Sequence, residues 1–118
     1  MTKIQNSKKY DLEERTLKFA KDIRKFLQEI PKSVINVEDI KQLLRSSGSV
    51  GANYIEANES LSKKDFVMRV KICRKEAKET EFWLNLMDVP RFDSERRQLL
   101  EEAIELRKIF GAIIEKSK

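Results

Sequence analysis

Four cations recur at helical spacing in the second half of the chain: Lys71, Arg74, Lys75 and Lys78. Steps of three and four residues put side chains on one face of a helix. A row of ammonium and guanidinium groups is the chemistry that grips phosphates, holding RNA or DNA by its backbone without reading bases. Lys64 lies a turn or two away, while Glu76, Glu79 and Glu81 point mostly elsewhere on the wheel. The competing reading is a solvated face, which any soluble helix requires. A second row, Lys18, Lys21 and Lys25, is diluted by Asp22 and Glu29, and Arg45 suits an acidic partner as well as a phosphate.

Bond-making chemistry lacks its usual residues. The chain has no histidine and one cysteine, Cys73. That removes the commonest general base and zinc ligand, and excludes an intrachain disulfide or a thiolate metal cluster. Gly48 and Gly51 have no Gly-Lys-Ser/Thr after them and no strand before, so they do not form a phosphate loop. A catalytic role for Glu56 would need a partner base, metal or nucleophile, and the sequence supplies none. The expectation is a protein that is not an enzyme, with no catalytic, cofactor-binding or metal site. Cys73 falls on a core stripe and reads as a small buried hydrophobe.

The elements that carry these residues follow from composition and period. With 40% hydrophobic and 38% charged residues, three glycines and two prolines, the 118 residues suit one all-α domain. Apolar stripes at four-three spacing, separated by breakers, predict helices at about 10–30, 36–58, 62–88 and 94–115. Leu12, Thr16, Phe19, Ile23, Phe26 and Ile30 mark the first, and Pro31 ends it. The second is expected to be capped by Asn36, with Glu38 and Asp39 suiting its positive end and Ile35 stapled to Ile40. The third opens at Ser62, with Leu61 able to meet Phe66, and its stripe runs from Phe66 through Val70, Cys73, Ala77, Thr80 and Leu84 to Met87. The fourth carries Leu99, Ala103, Leu106, Phe110 and Ile113. Short connections make the expected architecture an antiparallel, up-down-up-down four-helix bundle in which only the first few and last three residues fray.

The net charge of +5 and pI near 9.4 permit a polyanionic partner without establishing one. No apolar run of signal-peptide length opens the chain, and none approaches the roughly 20 residues of a membrane span. The expected compartment is the cytoplasm, with no membrane partner.

The third helix has more apolar surface than one core needs. Met68, Ile72, Phe82, Trp83 and Leu86 cluster away from its main stripe, and Leu100 and Ile104 do so on the fourth. A subunit interface is the favoured reading, because aromatic residues are enriched there; a wide core stripe is the alternative. Two glycines inside the second helix, each costing about 1 kcal/mol relative to alanine, point to close packing. In a hairpin turning near Ser60 the small-residue stretch from Ser46 to Ala52 would face Val70 and Cys73.

Three segments also resemble a known signature: Arg45-Ser46-Ser47-Gly48-Ser49-Val50-Gly51-Ala52-Asn53-Tyr54-Ile55-Glu56-Ala57, then Ser62-Lys63-Lys64-Asp65-Phe66, then Lys75 through Leu84. They are similar to the four helix bundle protein family, also called the 23S ribosomal RNA intervening sequence protein family. The resemblance implies a left-handed four-helix bundle and a ring-like homo-oligomer, with a pentamer expected, in a bacterial protein of poorly defined function. Related accessory proteins bind nucleic acid and a reverse transcriptase, so it also implies possible RNA, DNA or protein partners. Ser49, Gly51, Asn53 and Glu56 form the helix-packing part of the signature. Many members read Asn-Ile-Ala-Glu-Gly where this chain has Asn53-Tyr54-Ile55-Glu56-Ala57, and losing that glycine lets the second helix run slightly longer.

Overall fold

The computed structural model describes residues 2–118, with side chains from Leu12 onward; Met1, expected to fray, lies outside the described residues. Helix α1 spans Thr2–Glu29, α2 Val34–Asn58, α3 Lys63–Leu86 and α4 Asp93–Lys116, with a 3-10 turn at Pro90–Phe92 leading into α4. Among the described residues there is no strand, and no helix is long and apolar enough to cross a membrane. α2 packs on α3, α3 on α4 and α1 on α2, while α1 and α4 meet sparingly. The helices therefore surround one core in chain order, with α1 across from α3 and α2 across from α4.

The stripes read from spacing form that core. Leu12, Thr16, Phe19, Ile23, Phe26 and Ile30 are all buried, and Leu27 joins them. Val70, Cys73, Ala77, Thr80, Leu84 and Met87 are buried on the α3 side. Tyr54 of α2 and Phe110 of α4 meet across the centre with ring centroids 5.9 Å apart. On α4 the stripe closes with buried Ile114, leaving Ile113 half-buried, because a 3.6-residue turn drifts against a four-three count. Leu100 packs against the core from the α4 flank.

Helix ends depart from expectation in their details. Ser33, not Asn36, caps α2: its hydroxyl accepts from the Asn36 backbone N–H at 3.0 Å, and the Asn36 side chain donates to the Pro31 carbonyl. Ser62 caps α3 as expected, accepting from Asp65 N–H at 3.1 Å. Neither hydrophobic staple forms, since Ile35 and Leu61 are exposed to solvent. The chain end is tied down, with the Ser117 hydroxyl donating to the Ile113 carbonyl at 2.8 Å.

The two α2 glycines behave differently. A Cβ on Gly51 would lie 2.9 Å from Thr16 Oγ1 and 3.2 Å from Thr16 Cβ, whereas one on Gly48 meets nothing within 4 Å. The close approach at Gly51 is therefore to α1, while Ser46 of the same stretch meets Thr80 of α3. Thr16 cannot yield easily, being β-branched, buried and bonded to the Glu13 carbonyl at 3.0 Å.

Asp39, expected to suit the positive end of the helix, lies one turn before Leu43 and is only 5% exposed. Among the described residues no side chain donates to it. Burial raises its pKa above the ordinary carboxylate range, with Glu38 adding to the effect.

Between α1 and α4 a groove of about 560 Å³ remains open. Phe19, Phe26 and Leu99 line it, and Arg15 of α1 spans it to Glu102 of α4 through two hydrogen bonds of 2.7 and 2.8 Å.

Three outcomes follow for stability. Gly48→Ala raises the unfolding midpoint, gaining up to about 1 kcal/mol of helix propensity. Gly51→Ala lowers it, because overpacking of about 1–3 kcal/mol outweighs that gain, and a Thr16→Ala background reverses the loss in urea titrations. Asp39→Asn stabilises near neutral pH. A carboxyl whose folded pKa is raised favours the fold while protonated and loses that contribution as pH rises through the folded pKa. The benefit of the substitution in thermal melts therefore shrinks as pH is lowered through the carboxylate range.

Candidate nucleic-acid and assembly interface

α3 presents three faces around its axis at roughly 100° per residue. One is the core stripe. The second carries Lys71, Arg74, Lys75 and Lys78, all exposed. Among the described residues Lys71, Arg74 and Lys78 make no ion pair, and Lys75 Nζ stands 4.0 Å from Glu76 Oε2. Arg74 lies near enough to Glu115 to help hold its carboxyl below the ordinary range, after the stronger effect of a hydrogen bond from Lys118.

The acids on α3 are engaged elsewhere. Arg45 of α2 reaches Glu76 at 3.4 Å and bonds to Glu79, and Arg107 of α4 bonds to Glu81. Arg45 is thus committed to carboxylates rather than left for phosphate. Glu76 itself is buried, with Oε1 accepting no hydrogen bond among the described residues, and the cations nearest its carboxylate are Arg45 and, more distantly, Lys75. Below it, the Ser46 and Thr80 hydroxyls lie 2.8 Å apart, and Thr80 Oγ1 lies 2.9 Å from the Glu76 carbonyl. A hydroxyl has one proton. With Thr80 donating to the carbonyl, Ser46 supplies the proton of the other bond.

The signature residues continue this polar seam between α2 and α3. Asn53 donates to the Ser49 carbonyl and hydroxyl, both at 2.9 Å, and accepts from Arg69 of α3 at 3.1 Å. Arg69, which the sequence reading passed over, is therefore what orients Asn53. Glu56 does not join Asn53. It is exposed and borders a surface hollow with Glu59, Asp65, Met68, Arg69 and Ile72.

The third face is apolar, and Phe82 stands at its border with the basic row. Met68, Phe82 and Leu86 are 56, 57 and 55% exposed. Ile72 and Trp83 are half-buried, and Trp83 packs against the core. Phe82 meets Trp83 edge-on, centroids 5.1 Å apart, so the pair braces a ridge in which Phe82 is the outer member. The Trp83 indole N–H is buried without an acceptor among the described residues.

On α1, Lys18 bonds to Asp22 at 2.6 Å, which confirms how far that row is diluted. Cys73 is fully buried and its thiol is pushed up to about 12, chiefly by that burial. A nucleophilic thiolate is not available there near neutral pH.

The geometry can be set beside known proteins. No curated protein matches the chain. A solved structure from Bacteroides thetaiotaomicron, a protein of unknown function from the S23 ribosomal protein family, shares 34% sequence identity and a TM-score of 0.74. The match covers 87% of this chain and 97% of that one. The family model described as 23S rRNA-intervening sequence protein matches residues 8–112, a span that takes in the seam, the basic row and the apolar ridge, and the chain belongs to that family.

Proposed function

We propose that the chain is a non-enzymatic, self-assembling, cytoplasmic four-helix bundle of left-handed, up-down-up-down topology that binds RNA or DNA through α3. The observation that carries this reading is how the cations are used. Arg15, Arg45, Arg69, Arg96 and Arg107 are each bonded to a side chain within the fold. Lys71, Arg74 and Lys78 are exposed and make no such pair among the described residues. A ring of copies, with a pentamer favoured, repeats that row around its surface and multiplies its potential.

The exposed Phe82 and Leu86 beside the row favour a second reading. In it the chain is an interaction scaffold, or an accessory subunit, for an acidic protein or a reverse transcriptase. Specific capture of such a protein without nucleic-acid binding would select this reading.

RNA and DNA affinity is expected to fall steeply with salt, with a log–log slope of roughly −3 to −4 per protomer for four phosphate contacts. Replacing Lys71, Arg74, Lys75 and Lys78 together by glutamine abolishes most of the binding and leaves the helical circular dichroism intact. Binding that ignores salt, or survives the quadruple substitution, overturns the nucleic-acid reading. Light scattering at micromolar concentration gives a multiple of the 13.9 kDa chain mass. A clean monomer overturns the assembly reading.

A further inference from the structure

The basic row on α3 stands beside acids of the same helix. Glu79 follows Lys75 by four residues, a spacing at which the two side chains can pair along the helix. Of the four cations Lys75 is the nearest to this acidic edge on the helical wheel, and its ammonium stands 4.0 Å from Glu76 Oε2. Its side chain nevertheless remains 74% exposed. The two carboxylates are met instead by Arg45, which reaches across from α2 to Glu76 Oε1 at 3.4 Å and bonds to Glu79. We infer that Arg45 is a positioning residue for the basic row: by occupying Glu76 and Glu79 from the neighbouring helix, it keeps Lys75 turned outward and free for a phosphate. The inference rests on the nucleic-acid reading above and names the residue that sets how many cations that surface presents.

The physical reason lies in Glu76. Its side chain is 8% exposed, and its Oε1 accepts no hydrogen bond among the described residues. A carboxylate held so far from water needs a cation, and removing one partner of a buried pair is strongly destabilising. Drawing a solvated lysine inward costs chiefly its rotamer freedom, which is the smaller penalty. Without Arg45, Lys75 is therefore pulled from the row toward Glu76 and Glu79, while Lys71, Arg74 and Lys78 lie farther round the helix and stay outside. An arginine suits the position because its planar fork addresses two carboxylates at once.

Two measurements test this. In the free protein, an N-hydroxysuccinimide ester acylates the lysines, and mass spectrometry compares Lys75 with Lys71. Arg45→Gln is expected to slow Lys75 several-fold relative to Lys71, and adding Glu76→Gln and Glu79→Gln restores it. On the RNA or DNA oligonucleotide that wild type binds, Arg45→Gln lowers the salt slope by about 1 per protomer, although Arg45 itself holds no phosphate. Lys75→Gln does the same, and the two together lower it no further. Arg45→Lys keeps the charge without the fork; it serves if Arg45→Gln fails to fold, and it slows Lys75 in the same direction by less. Unchanged Lys75 acylation in the folded Arg45 variants overturns the inference. So does a slope that falls by about 2 in the double variant, since Arg45 is then a phosphate ligand in its own right. A wild type that binds neither RNA nor DNA removes the nucleic-acid reading, whereas acylation still decides whether Arg45 governs Lys75.

Discussion

The approach of α1 to α2 at Gly51 is the constraint around which the rest is arranged. With no side chain at that position, Thr16 sits against the α2 backbone, closer than a Cβ would allow. Fixing α1 there brings Tyr54, one turn along α2, into the core, where it meets Phe110. On the opposite flank of α2, small hydroxyls take over: Ser46 meets Thr80 at 2.8 Å, a distance that bulkier residues would forbid. α2 is thus narrow on two sides, for different reasons. One side accepts a neighbour by contour, the other by hydrogen bonding that leaves buried hydroxyls satisfied.

Charge is sorted by the same geometry. The guanidinium groups of Arg15, Arg45, Arg69 and Arg107 each join two helices, at Glu102, Glu76 with Glu79, Asn53 and Glu81. Arginine suits that work because its planar fork binds carboxylates with defined orientation. The lysines mostly remain on outer faces, where a flexible, strongly hydrated ammonium is least costly. The basic excess of the chain is therefore displayed at the surface rather than consumed in holding the helices together.

Much of this was legible in the sequence because periodicity reports burial. The α1 stripe from Leu12 to Ile30 is buried residue for residue, and so is the α3 stripe except at its first member, Phe66, which is half-buried. Element ends were read less well. Ser33 and Asn36 are both good capping residues three positions apart, and only the backbone path after Pro31 decides between them. That Gly51 packs on α1 was not legible, since a helix packed on two neighbours shows its small residues to both and spacing alone does not say which neighbour lies where. The burial of Asp39 was not legible, because a carboxylate suits the positive helix end whether or not neighbouring helices cover it. Arg69 left no signal of its own, as its contact with Asn53 exists only once α2 and α3 are side by side. The α1/α4 groove likewise comes from how sparingly two helices meet, a property no single stripe encodes.

The burial of Cys73 gives the chain an internal clock for its own opening. Fully enclosed, and with its thiol pushed up to about 12, this sulfur cannot react from the closed fold near neutral pH. Any alkylation must pass through a state in which α3 has parted from its neighbours. When closing is fast compared with labelling, the modification rate reports the free energy of that separation. A single native atom thereby reads out, without an added label, how firmly the helix bearing both the basic row and the apolar ridge is held.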